Sequence, residues 1–202
     1  MMTSEKHSER TSGLLQLRPR QIEILDQLET YFFAHGYRSA TMEVLAQNLK
    51  CSKRALYELA PNRKELFTLI VDRWAKRIRW LGAEAEARHS DPRRRLAAYL
   101  QPGVSESRGV TRTFLIDLRD LPQARATLEQ HQRERMTHLK GILDEGAKQG
   151  VFKDVHAHLV AGICLAGIEK INEPTFLAQA GLSFSQAFAE LYRLLMTGLE
   201  GK

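Results

Sequence analysis

Cysteine is scarce, apolar runs are short and catalytic signatures are missing, and each shortage removes a class of protein. Only two cysteines, Cys51 and Cys164, occur in 202 residues. One falls in a turn and the other in an apolar helix, so a disulfide framework is excluded and a reducing, cytoplasmic setting is expected. No stretch of about 18 consecutive apolar residues is present, so no membrane span is expected. The first 17 residues are polar and lack the apolar centre of a secretory leader. They are expected to form a flexible arm, whose Lys6 and Arg10, together with Arg18 and Arg20, either brush phosphates or are simply solvated. Nowhere do β-branched residues alternate with polar ones for long, which leaves no strand. No internal repeat or low-complexity segment is found.

Enzymatic chemistry has no foothold either. There is no Gly-x-Ser-x-Gly elbow, no Walker loop and no dinucleotide glycine fingerprint. His156 and His158 sit about 200° apart around a helix, a poor metal pair. His131, Glu134 and His138 share a helical face at metal-ligand spacing, but a solvated polar face is the preferred reading. No metal and no cofactor are expected.

What is present is helix, and one pair of helices is informative. Residues 41–57 read as two short helices hinged by a tight turn. Thr41 caps the first through its hydroxyl, and Val44, Leu45 and Leu49 fall on one face at helical spacing. Lys50-Cys51 makes the turn and Ser52 caps the second helix, which runs from Lys53 to about Leu59. Ala55, Leu56 and Leu59 turn partly inward, leaving Lys53, Arg54 and Tyr57 toward solvent. Such a helix is about 12 Å long, enough to enter a major groove. The competing reading is an ordinary helical hairpin with a solvated basic face.

Three neighbouring features favour DNA. Residues 1–80 hold 14 Lys and Arg against 9 Asp and Glu, whereas residues 81–202 hold 16 against 15. The positive excess that phosphate binding needs therefore lies with the hairpin. Upstream, Arg18-Pro-Arg opens a helix with Ile22, Leu25, Leu28 and Phe32 on one stripe, closed at Gly36. Downstream, Asn62 caps a further helix whose amino end, with Arg63, is placed to hold a phosphate.

From about Arg20 to Leu66 the chain resembles the amino-terminal domain of TetR-family transcriptional regulators. The family pattern runs Gly-Tyr/Phe, a capping Thr, Ile-Ala, Ala-Gly-Val-Ser, Leu-Tyr, an aromatic-Phe pair, Ser/Asn-Lys-Glu and Leu. Here the same spacing carries Gly36-Tyr37, Thr41, Leu45-Ala46, Leu49-Lys50-Cys51-Ser52, Leu56-Tyr57, Leu59-Ala60, Asn62-Arg63-Lys64 and Leu66. The resemblance implies that Thr41, Ser52, Lys53, Arg54, Ala55, Tyr57 and Arg63 lie at DNA-facing positions. Three positions depart from it. Lys50 stands where the family has the turn glycine, and is strained if that position needs positive φ. Leu59-Ala60 makes a smaller plug than an aromatic pair, and Lys64 replaces the usual acid.

Beyond Arg63 helices are expected at about 62–87, 91–101, 107–120, 122–149, 155–172 and 184–199, with Pro61, Pro92, Pro102, Pro122 and Pro174 near their ends. In the helix from 155, Leu159, Val160, Ile163, Leu165 and Ile168 alternate with small residues. In the last helix Phe184, Phe188, Leu191, Leu195 and Leu199 form an apolar stripe. These helices either pack only within their own chain or, as the resemblance implies, form a four-helix dimer interface through Ala161, Leu165, Phe188, Leu191 and Leu195.

The expected architecture is all-α: an arm at 1–17, a helix-turn-helix DNA-binding domain at 18–66 within a three-helix bundle, and a larger helical ligand-binding and dimerisation domain at 67–202. The expected function is a homodimeric, ligand-responsive repressor that binds a double-stranded, pseudo-palindromic operator and is released by a small-molecule effector. Trp74 and Phe114 are expected as apolar wall of the effector site with Tyr99 close by, and Arg112 or Arg119 as its polar anchor. The competing reading makes the two aromatics plain core and both arginines solvated. A regulator without an effector, or under the control of a partner, and a helical enzyme are the alternatives.

Overall fold

The computed structural model describes residues 17–152 and 156–199, and among these every regular element is a helix. Of the arm expected at 1–17, all but Leu17 lies outside the described residues, Lys6 and Arg10 included. Helix α1 spans Pro19–His35. Its proline occupies the first turn, where no amide is needed, and the Gln21 side chain accepts the Arg18 backbone N–H at 3.0 Å. Leu25, Leu28 and Phe32 are buried as the stripe requires, joined by Ile24 and Phe33. Ile22, at the edge of that stripe, is 43% exposed, so the buried face is rotated from the expected one.

Helices α2 (Met42–Asn48) and α3 (Lys53–Leu59) form the hairpin, and α4 runs for 24 residues over Arg63–Glu86. Leu66, Phe67, Ile70, Val71, Trp74 and Ile78 give α4 one continuous buried face. The expected division at residues 66 and 67 falls within this helix. Helices α5 (Pro92–Ser105), α6 (Arg112–Asp120), α7 (Pro122–Lys148), α8 (Ala157–Ile171), α9 (Pro174–Ala180) and α10 (Phe184–Leu199) build the rest around it.

Two boundaries differ from the sequence expectation. Helix α5 passes through Pro102 to Ser105 rather than ending at 101. Pro102 lies in the last turn, where its missing amide costs a single bond. The carbonyls beyond it are taken by side chains: Ser107 Oγ donates to Gly103 O at 2.6 Å, and Trp74 Nε1 to Glu106 O at 2.8 Å. Helix α6 begins at Arg112 rather than 107, because Gly109 turns with φ 84° and Thr111 caps the new helix. Helix α9, between Pro174 and Gly181, was not anticipated.

The core does not separate into two. Phe33 of α1, Phe67 and Trp74 of α4 and Phe114 of α6 pack with ring centroids 5.0–5.9 Å apart, edge-on except for the tilted Phe67–Phe114 pair. Such contacts add about 0.5–1.5 kcal/mol each beyond burial. The hairpin bundle is thereby locked to the larger helical body through a shared apolar joint.

Candidate nucleic-acid interface and adjoining pocket

The hairpin is built by its caps. Thr41 accepts the Val44 N–H at 3.3 Å, Ser52 accepts that of Ala55 at 3.1 Å, and Asn62 accepts those of Lys64 and Glu65 at 3.0 Å. Each cap contributes about 1 kcal/mol. Between α2 and α3 the chain reverses at Lys50, the only non-glycine residue with positive φ (48°) among the described ones. The strain anticipated there is present. It is held by Cys51 N–H donating to Ala46 O at 3.0 Å and by Arg20 Nη2 reaching Lys50 O at 3.1 Å. Leu45, Ala46, Leu49 and Leu56 are buried beneath, while Val44 is 39% exposed and Met42 takes the inward place expected for it.

The outer face carries most of the residues expected to face DNA. Thr41, Ser52, Lys53, Arg54 and Tyr57 are exposed and Ala55 is half-buried. The Arg54 side chain is 88% accessible and reaches Glu58 at 3.3 Å; Arg18 meets the same carboxylate at 2.5 Å. Lys53 Nζ sits 2.9 Å from Glu43, and this hydrogen bond holds the Glu43 carboxyl down to about 2. These exposed pairs are weak and screened by salt, so a phosphate can exchange into them. Arg63 is differently engaged. Its Nη1 donates to the carbonyls of Ala40 at 2.9 Å and Arg38 at 3.3 Å, under the Tyr37 ring. It braces the start of α2 rather than projecting freely.

Behind the hairpin lies a polar joint that the sequence did not disclose. Asp117 of α6 is 3% exposed and accepts the backbone N–H groups of Tyr37 at 2.7 Å and Arg38 at 3.1 Å. Arg38 Nε lies 3.4 Å from its other oxygen. Gly36 makes this possible twice over: it has φ 69° and ψ 178°, and a Cβ there would come within 2.3 Å of Asp117 Oδ2. Thr111 adds a hydroxyl bond of 2.7 Å to Phe33 O. The end of α1 is thus clamped by α6.

One pocket of about 30 Å³ opens among α4, α5, α7, α8 and α10. Of the effector residues expected from sequence, only Trp74 lines it. Phe114 is fully buried in the aromatic joint, and Tyr99, 2% exposed, stands behind the pocket with its hydroxyl on Arg135 O at 3.0 Å. Arg112 and Arg119 are on the surface, Arg119 beside Asp120 at 2.9 Å, so neither anchors this pocket. The polar lining comes instead from Arg79, Ser107, His131, Gln132 and Arg135. A signal existed in α7: Leu128, His131, Gln132, Arg135, Met136 and Leu139 follow one 3.6-residue stripe, with polar residues set inside an apolar face.

The weighed metal triad is not assembled. His131 faces Asp72 at 2.8 Å, Glu134 pairs with Arg79, and His138 with Glu86. Both cysteines are free thiols, and burial pushes that of Cys164 up to about 11.

The dimer residues named from sequence divide. Ala161 and Phe188 are buried within their own chain, the latter in the pocket wall; Leu165, Leu191 and Leu195 are half-buried. The large apolar side chains left exposed on the same two helices are Leu159 (58%), Ile163 (60%) and Leu194 (68%). No helix of the described residues is long and apolar enough to cross a membrane.

No protein-family model matches the chain, and no curated protein matches it by sequence. Solved structures do match. The fatty acid degradation regulator FadR from Bacillus halodurans is 14% identical, with 93% of this chain and all of that one covered and a TM-score of 0.71. A putative transcriptional regulator from Saccharomonospora viridis, in complex with choline, is 18% identical over 87% of this chain and 95% of its own, TM-score 0.69. A TetR-family transcriptional regulator from Agrobacterium tumefaciens is 20% identical over 90% and 97%, TM-score 0.68. The chain has the fold of TetR-type transcriptional regulators: a helix-turn-helix unit joined to a larger helical body.

Proposed function

We propose that this chain is a ligand-responsive DNA-binding regulator of transcription, acting as a homodimer in the cytoplasm and repressing by occupying a pseudo-palindromic operator. The observation that carries this reading is the capped α2–turn–α3 hairpin with Thr41, Ser52, Lys53, Arg54 and Tyr57 together on its outer face. Two copies would set α3 into successive major grooves on one side of the duplex. The exposed Leu159, Ile163 and Leu194 supply the apolar face through which the copies would meet, flanked by the half-buried Leu165, Leu191 and Leu195.

Release follows from the pocket's size and walls. At about 30 Å³ it has room for a water or two, so an effector enters only as the helices part. Trp74, Ala75 and Ile78 of α4 form one wall, and α4 begins at the DNA end, where Arg63 holds the Arg38 and Ala40 carbonyls. The α6 clamp on Gly36–Arg38 carries the same displacement to α1. An effector that favours the parted arrangement changes the separation of the reading helices and lowers operator affinity by linkage. The small volume is also what favours the second reading, a regulator with no effector.

Selection of bound duplexes from a random pool, followed by a screen for molecules that release them, tests both. Enrichment of one sequence with salt-dependent affinity is expected. A pool with no enriched sequence contradicts the DNA-binding reading, and failure of every screened molecule to release the operator favours the effector-free form.

A further inference from the structure

Three buried nitrogens have no hydrogen-bond partner among the described residues: Arg79 Nε, His131 Nδ1 and Arg135 Nε. All three belong to side chains that line the pocket. Arg135 and His131 are 6% and 8% exposed. Unsatisfied polar atoms buried at this depth are uncommon and call for a partner.

Charge sharpens the point. The other buried charges, Glu86 and Asp117, each face an arginine, Arg95 at 2.5 Å and Arg38 at 3.4 Å. Arg135 meets only neutral groups among the described residues. Nη1 donates to Tyr192 Oη at 3.0 Å, and Nη2 to the carbonyls of Tyr99 at 3.0 Å and Leu100 at 3.2 Å. The guanidinium lies 5.4 Å from the Tyr99 ring centre and 5.8 Å from that of Tyr192. Neither tyrosine supplies a countercharge, since burial pushes Tyr99 up to about 12 and raises Tyr192 as well. Gly103 completes the seat: a Cβ there would come within 2.7 Å of Arg135 Nη1. A buried guanidinium without an anion is a poor device for stability, where an apolar residue of like volume serves as well or better.

The remaining groups fix the charge the pocket asks for. Arg79 is already paired with Glu134. Asp72 takes His131 Nε2 at 2.8 Å and Lys76 Nζ at 2.7 Å. Burial works against the Asp72 carboxylate, but these two bonds outweigh it and hold its pKa below the ordinary value. One positive charge, that of Arg135, is left uncompensated, which matches a monoanion. The rest of the lining, Trp74, Ile78, Leu128, Met136, Phe184 and Phe188, is largely apolar.

We propose that the pocket binds an apolar carboxylic acid. Its carboxylate is seated on Arg135 Nε and Arg79 Nε with His131 Nδ1 beside it, and its hydrocarbon body parts the walls along Trp74, Phe184 and Phe188. The regulatory meaning of this site rests on the effector reading above; the binding itself does not. His131 and Arg135 stand one turn apart on α7, so one carboxylate can meet both.

The test uses no DNA. Trp74 lines the pocket and the second tryptophan, Trp80, is 63% exposed, so Trp80→Phe isolates Trp74 fluorescence. The probes are the straight-chain acids from hexanoate to hexadecanoate, 4-phenylbutyrate, and the primary alcohol matched to each. At least one acid is expected to give a saturable change, with its alcohol binding tenfold or more weakly. That preference should vanish in Arg135→Gln and weaken in Arg79→Gln. Should Arg135→Gln fail to fold, the Arg79→Gln variant and the acid-to-alcohol ratio of the parent chain decide. The proposal is overturned if no acid saturates, if alcohols bind as tightly, or if the preference survives in the variants. Acid preference in a chain that selects no operator keeps the site and removes the regulator; an operator released only by non-acidic molecules does the reverse.

Discussion

Replacing Gly36 by Ala should damage this protein more than a glycine in a loop ordinarily would, and the structure says by how much. Its φ of 69° with ψ of 178° lies in a region open essentially to glycine, where a side chain costs about 1–3 kcal/mol. The added methyl also meets Asp117 Oδ2 at 2.3 Å and Cγ at 3.1 Å. The carboxylate must then withdraw from the Tyr37 and Arg38 amides, and hydrogen bonds to a charged group contribute about 1.5–3 kcal/mol each. Allowing for partial relaxation, the total is about 4–6 kcal/mol, a large share of the roughly 5–15 kcal/mol that holds a domain. Urea unfolding followed by far-ultraviolet circular dichroism gives each variant's stability, provided the slope is unchanged. In an Asp117→Ala background there is no carboxylate to displace and only the Thr113 methyl, at 3.2 Å, must give, so Gly36→Ala should cost little beyond the strain of about 1–3 kcal/mol. Equal costs in the two backgrounds would refute the assignment of Asp117 as the clamp on the end of α1.

Other expected outcomes follow from the same geometry. Arg54→Ala should weaken operator binding by about 1–3 kcal/mol and relax preference at one base pair if Arg54 reads a base edge, measured by fluorescence anisotropy across single-base variants. Ile163→Arg and Leu194→Arg alter exposed side chains (60% and 68%), so each should melt like the parent yet sediment as a monomer; a dimer that survives both places the interface elsewhere. Tyr99 holds its proton to about pH 12 when folded, against 10.0 otherwise, so the folded state binds more protons across that window and stability falls as pH rises through it. Below pH 10 the contribution is complete, on the order of 2 kcal/mol, and Tyr99→Phe should flatten the decline between pH 10 and 12. The buried Cys164 thiol, pushed up to about 11, should resist alkylation at pH 8 until urea opens the core.

The hairpin end of the molecule was legible because its information is local. Caps at Thr41, Ser52 and Asn62 are each made to amides two or three residues away, and Gly36 and Lys50 stand at the ends of the helices they close. Val44 and Ile22 were misassigned because periodicity locates a stripe but not which edge its neighbours cover. Pro102 reads as a stop because a proline inside a helix usually breaks it, and that the carbonyls beyond it find donors depends on Ser107 and on Trp74, 32 residues before Glu106. The pocket was missed for a similar reason. Arg112 and Arg119 were chosen for proximity in sequence, whereas Arg135 is assembled from Gly103, Tyr99 and Tyr192 on three other turns of chain. Asp117, an acid among apolar neighbours on α6, becomes meaningful only once the end of α1 is seen against it.

The central claim is that two copies of α3 enter successive major grooves of one duplex. Methylation protection at guanine N7 on the selected operator measures this directly, because N7 lies in the major groove. The expected result is two protected patches about 10 base pairs apart, or a multiple of that, on one face and related by a two-fold axis, both lost with Arg54→Ala. Protection confined to one patch, or an operator bound with every guanine N7 still reactive, would contradict it.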